Sequence, residues 1–124
     1  MSKIAHDDVL DGALNIIKNN ATRLCICSTQ PTTYEEAITT YKLGIVTIDS
    51  NDFTGPSDGT SGRKVVVAGQ SGVNVDADDN AQHIALCDSV NSKLLWVTTC
   101  TPQLLSSGSS VNTSEWTITF GDPS

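Results

Sequence analysis

The chain has 124 residues, a single-domain length at which about two-thirds of the unfolded chain's surface is buried, enough for one core without staples. Its 14 acidic and 7 basic side chains give a net charge of −7, which argues against a Lys- and Arg-built surface for nucleic acid. The longest apolar runs, such as residues 94–97, are far short of a bilayer span, and residues 1–8 carry no hydrophobic signal region, so the expectation is a soluble chain made in the cytoplasm.

Composition also sets a backbone preference. Ser and Thr together number 29 and Asp plus Asn 19, whereas Glu occurs only at Glu35, Glu36 and Glu115. That balance disfavours long helices and favours strands joined by turns.

In chain order, Val9, Leu10, Ala13, Leu14, Ile16 and Ile17 form one broad apolar stripe, predicting a helix over residues 8–19 with Asp8 as its cap and Asp11 near its positive end. Asn19 and Asn20 stop it, and residues 22–28 change to a short, partly β-branched run read as a strand. Pro31 closes that strand. Thr33 with Glu36 makes a capping-box pattern for one or two helical turns over residues 34–38. Residues 41–48 read as a strand with a bulge at Gly44, and residues 49–62, rich in Gly and short polar side chains, as the longest loop.

Residues 64–68 and 73–75 predict two short strands connected through Gly69-Gln70-Ser71-Gly72. The clearest hairpin joins residues 82–87 to 94–100. A symmetric register sets Ile84 and Leu86 opposite Val97 and Leu95, and His83, Ala85 and Cys87 opposite Thr98, Trp96 and Leu94, with both faces covered. After a polar turn at residues 106–110, Trp116, Ile118 and Phe120 alternate as in a half-buried strand. No long-period repeat is apparent. The expected fold is α+β and mainly β: one domain over residues 1–124, an antiparallel β-sandwich or barrel-like body with an N-terminal helix, a second short helix and a mobile arm over residues 1–7.

Little in the chain carries chemistry. Cys25 and Cys27 share a strand face, but a C-x-C pair separated by 59 residues from Cys87 departs from zinc-knuckle spacing, so free buried thiols are the reading, with a cross-strand contact such as Cys87 to Cys100 left open. Asp76, Asp78, Asp79 and Asn80 gather oxygen donors yet lack the Gly and distant Glu of a calcium loop; a solvated turn is the plainer reading. The only histidines are His6, near the terminus, and His83, on a predicted strand. No G-x-S-x-G elbow and no phosphate loop is present, and the acceptor patterns at Asn20 and Asn112 have little force without a signal peptide. No catalytic, cofactor-binding or metal-ligating residue is assigned.

The run from His6 to Asn20, the Cys27-Ser28-Thr29-Gln30-Pro31-Thr32-Thr33-Tyr34-Glu35-Glu36-Ala37 stretch, Gly62-Arg63-Lys64, His83-Ile84-Ala85-Leu86 and Leu94-Leu95-Trp96-Val97-Thr98-Thr99-Cys100-Thr101 together resemble a family of small structural proteins of tailed bacteriophages. The resemblance runs through nearly the whole chain and implies a non-enzymatic virion component, foremost a head decoration or cement protein. Its implied partners are the major capsid protein or neighbouring virion proteins, and further copies of itself on the particle, with neither nucleic acid nor membrane. The implied location is the virion, with the capsid surface foremost. The N-terminal arm and first helix are the candidates for attachment, with residues 52–62 and 103–110 as contact or outward loops. A low-copy neck, connector or tail component is the nearest alternative. An enzyme or calcium-dependent binding module would need a pocket at His83 or at residues 76–80.

Overall fold

The computed structural model describes residues 6–59 and 62–120. The elements are α1 (Asp7–Asn20), β1 (Arg23–Cys27), a π-helical segment (Glu36–Thr40), β2 (Lys42–Thr47), a 3-10 turn (Ser50–Asp52), β3 (Phe53–Asp58), β4 (Arg63–Val67), β5 (Val73–Asn74), β6 (Asp79–Asp88), β7 (Lys93–Leu105), β8 (Ser110–Val111) and β9 (Trp116–Phe120). All strand pairs are antiparallel, in sheets ordered β2-β1-β6-β7, β3-β4-β9 and β5-β8. The fold is therefore α+β and mainly β, with an N-terminal helix and a second short helical segment.

Alternation along the strands sets the core. Leu24 and Ile26 of β1 and Ile84 and Leu86 of β6 point to one face of the four-stranded sheet, where they meet Phe53, Val65, Val67 and Ile118 of the three-stranded sheet and Leu14 and Ile17 of α1. The opposite face buries Cys25, Cys27, Ala85 and Cys87 beneath Ala37, with Tyr34, Ile38 and Tyr41 packed around them. A sheet covered on both sides explains why Leu24 to Cys27 of β1 and Ile84 to Cys87 of β6 are consecutive apolar residues.

Helix α1 begins one residue earlier than expected, and its cap is His6, whose Nδ1 accepts from the Asp8 backbone N–H at 3.0 Å. Asp8 instead lies in the first turn, where its charge complements the helix dipole. Of the expected arm, residues 1–5 lie outside the described residues, while His6 caps the helix and Asp7 is its first residue. The Thr33–Glu36 signal marks a real helical start: Glu36 N–H donates to Thr33 Oγ1 at 3.1 Å, while the Glu36 carboxylate turns to the N–H and hydroxyl of Thr32, both at 2.8 Å.

Residues 49–62 are not one loop. Asp49 and Asp52 cap the 3-10 turn reciprocally, and Phe53–Asp58 forms the edge strand β3, shifted in register between Thr54 and Ser57. Gly55 and Pro56 sit in that irregularity, where the proline's missing N–H costs no ladder bond. Thr60 and Ser61 lie outside the described residues. The expected bulge beside Gly44 is present, since Ile26 pairs with Gly44 and Cys27 with Lys42. A side chain at Gly44 would also approach the Asn74 carbonyl to 2.8 Å, so glycine here lets β5 lie against β2.

The β6–β7 hairpin forms, but a bulge between Leu86 and Cys87 moves the register by one residue. Cys87 faces Leu94 as expected; Leu86 faces Trp96, Ala85 faces Val97, Ile84 faces Thr98 and His83 faces Thr99. The residues at 64–68 and 73–75 both form strands, in different sheets: β4 joins β3 and β9, and β5 pairs with β8.

The hairpin turn is pinned by Asp88, only 3% exposed, which accepts from the Asn91 side-chain amide at 2.8 Å and from the N–H groups of Val90 and Asn91 at 3.0 and 3.2 Å. The Asn91 amide first, then these backbone donors, hold its carboxyl below the usual carboxylate range. A carboxyl lowered in the folded state contributes stability above the unfolded pKa, about 3.9, and loses it as pH falls through the folded value. Asp88→Ala is thus expected to lower Tm at neutral pH by an amount that narrows in acid below about pH 4; a difference that stays constant to strong acid would contradict this role.

Candidate functional site

The outer face of α1 carries two of the large apolar side chains that the described residues leave exposed. Leu10, Leu14 and Ile17 are buried against the body, whereas Val9 and Ile16 are 67% and 58% exposed. The two lie seven residues apart, two turns along one side of the helix. Gly12 stands between them, and a Cβ placed there would meet no atom within 4 Å. The result is an apolar ridge with a step at its centre, beside the exposed carboxylates of Asp7 and Asp8.

Two ties hold this ridge in place. Arg63, at the start of β4, donates to both carboxylate oxygens of Asp11 at 2.8 and 3.3 Å and to Asp58 at 2.7 Å, with Asp7 at 3.9 Å. Such a forked pair fixes orientation as well as distance. The hydrogen bonds to Asp11 and Asp58 push the guanidinium pKa up, so its charge is permanent. Lys18 Nζ donates to the Gly55 carbonyl at 2.8 Å, binding the second half of the helix to β3. The single stripe expected from sequence is thus divided: Leu10, Leu14 and Ile17 face in, Ala13 is half-buried, and Val9 and Ile16 face out.

Asp76, Asp78, Asp79 and Asn80, read from sequence as a solvated turn, lie in the approach to β6 and at its first two residues. Asp76 pairs with Lys42 at 3.0 Å, Asp78 accepts from Ser107 N–H at 2.6 Å, and Asp79 accepts from Asn80 N–H at 2.7 Å, so each carboxylate has a protein partner. Among the described residues no group of three or more His, Cys, Asp or Glu side chains is placed to hold a metal. His83 lies between Cys27 and Thr99 in strand register, with its Nδ1 buried and without a hydrogen-bond partner among the described residues. Of the two loops read as contact surfaces, residues 53–58 belong to β3 and 103–105 to β7; the turn between β7 and β8 is tied by Gly108 N–H to the Val75 carbonyl at 2.9 Å.

All four cysteines are free, and Cys87 lies beside Cys25 rather than Cys100. The hydrogen bond with Cys87, together with burial, holds Cys25 protonated far above the ordinary thiol range. Burial pushes the Cys27 thiol up to about 12. Cys100 is only half-buried. An aromatic disulfide reagent is therefore expected to label Cys100 ahead of the other three in the native protein, with all four reacting after denaturation; rapid native labelling of Cys25 or Cys27 would contradict the packing described.

Compared with protein-family models, curated proteins and solved structures, the chain finds no match. The helix was legible as an attachment candidate, but which apolar residues face outward depends on where β3 and β4 sit. The short-range pattern holds no signal for that.

Proposed function

We propose that this chain is a non-enzymatic structural component of a tailed-bacteriophage virion, a decoration protein that binds the major capsid protein lattice and stabilises the head. The observation that carries the reading is the outward apolar ridge of Val9 and Ile16 on a helix locked by Arg63. Two of the segments behind the bacteriophage resemblance, residues 6–20 and 62–64, are the ones that build and anchor this ridge.

The physics suits a repeated lattice site. An acidic body with one small apolar ridge makes a modest contact, and many copies bridging neighbouring capsid subunits sum to a large resistance against genome pressure. A ridge on a helix tied at both halves loses little conformational freedom on binding, so more of its apolar burial is realised as affinity. Copies of the chain meeting at junctions between capsid subunits would reinforce one another.

The direct test adds purified protein to phage shells stripped of it. The expected result is saturable binding at a fixed ratio to capsid subunits, together with a higher temperature of shell disruption. Absence of binding to shells, with binding to isolated neck or tail assemblies, would overturn the decoration role in favour of a low-copy position.

A further inference from the structure

The sheets leave β7 and β9 as free edges facing one another, and the two meet where the rings of Trp96 and Phe120 pack edge to face with centroids 5.6 Å apart. Further along β7 the seam holds a cavity of about 350 Å³, bounded by the second half of β7 and residues 111–117. That volume falls in the range of small-molecule sites, about 300–1,000 Å³.

The lining has a distinct chemistry. Apolar side chains of the core, Ile26, Ile84 and Leu105, stand beside six Thr and Ser hydroxyls and the amides of Gln103 and Asn112. Glu115 contributes the one carboxylate, and no Lys, Arg or His is among the described lining residues. Trp116 also lines the cavity, and its indole N–H is buried with no acceptor among the described residues. A buried donor without a partner is uncommon in native proteins and calls for an acceptor oxygen from elsewhere.

The 112–115 segment is also pre-set. Gln70 N–H donates to Thr113 Oγ1 at 2.9 Å, Thr113 N–H donates to the Gln70 carbonyl at 2.8 Å, and Gly72 N–H donates to Asn112 Oδ1 at 2.8 Å. The last bond turns the Asn112 amide so that its NH₂ remains for another acceptor. A Cβ on Gly69 would come within 2.5 Å of the Thr113 carbonyl, so the bare backbone of the 69–72 turn is what allows this close approach.

We propose that this seam binds a neutral saccharide of one or two rings. Sugar hydroxyls both donate and accept, as do the Thr and Ser hydroxyls facing them, and each sugar ring has a C–H face suited to the apolar lining. The Trp116 indole N–H would gain a hydroxyl or ring oxygen, and Glu115 would accept from a hydroxyl. With no basic group among the described lining residues and a net charge of −7, sugar acids are disfavoured. The inference goes beyond the virion role and holds whether or not the chain decorates a head.

The test is titration of the full chain, labelled with nitrogen-15, by D-glucose, D-galactose, N-acetyl-D-glucosamine and maltose, following the two Trp indole N–H resonances by NMR. Trp96→Phe assigns them. The expected result is a saturable shift of the Trp116 indole and the 112–117 amides with at least one neutral sugar and none with D-glucuronate. Trp116→Phe, read through the Thr117 amide, should weaken that binding about tenfold, the equivalent of one hydrogen bond. Thr98→Val serves as the second variant where Trp116→Phe disturbs folding. No saturable shift with any of the four sugars would overturn the proposal, as would equal binding of D-glucuronate. Shifts at these residues that follow protein concentration alone would instead assign the seam to pairing between copies, and overturn it likewise.

Discussion

Replacing Val9 and Ile16 together by aspartate is expected to abolish attachment to capsid shells while leaving folding stability within about 0.5 kcal/mol of the parent, as for substitutions away from core, caps and buried polar groups. Both side chains are mostly exposed, and the helix stays docked through Leu10, Leu14, Ile17 and the Arg63–Asp11 fork. The new carboxylates would place charge where the contact must be dry, a cost the apolar partner surface does not compensate. Co-sedimentation with stripped shells, alongside thermal melting of the variant, checks both halves. Undiminished binding would move the contact away from α1, with the free edge of β7 as the next surface to examine.

The largest stability effect is expected at Leu86. It is fully buried at the centre of the four-stranded sheet, between Leu24 of β1 and Trp96 of β7. Leu86→Ala removes its contacts with both neighbours and with the facing sheet, for an expected loss of about 2–5 kcal/mol. Native stability totals only about 5–15 kcal/mol, so the variant is expected to be marginal. Urea unfolding of parent and variant gives the difference directly. A loss below about 1 kcal/mol would mean that the β6–β7 bulge does not place Leu86 in the core.

What could be read from the sequence follows from the range of the forces involved. Helix α1 and strands β1, β2 and β9 show periodic apolar residues bounded by turn chemistry and were expected close to their observed limits; the β6–β7 hairpin was expected too, but its strands reach back to Asp79 and on to Leu105, beyond the apolar run that marks them. Strand β3 was missed because Gly55-Pro56 is locally a breaker, and only its place at a sheet edge makes the pair tolerable. The register of the hairpin slipped because a bulge at Leu86–Cys87 responds to packing on both faces, which loop symmetry does not encode. Asp8 looked like the cap because short acidic residues usually fill that place, yet the chain enters the helix one residue earlier, with the His6 imidazole as acceptor. Strand β5 was expected over residues 73–75, whereas its two-residue partner β8 has no periodicity to display.

The same distinction applies to the sites. The helix proposed for attachment could be named as a candidate, since an amphipathic stripe is local; the division of Val9 and Ile16 from Leu10, Leu14 and Ile17 is set by distant strands. The seam beside Trp116 could not be named, because it arises from the edges of two sheets built by residues far apart in the chain. Arg63 had no visible role beyond a short motif, and only the fold brings it to Asp11 and Asp58.

The central claim, that the chain decorates a phage head, is tested most directly by counting. Under that proposal, quantitative mass spectrometry of purified particles of the phage that would encode this chain gives its ratio to the major capsid protein. The account predicts a ratio near one, or a simple fraction such as one third. A handful of copies per particle, or none, would contradict it.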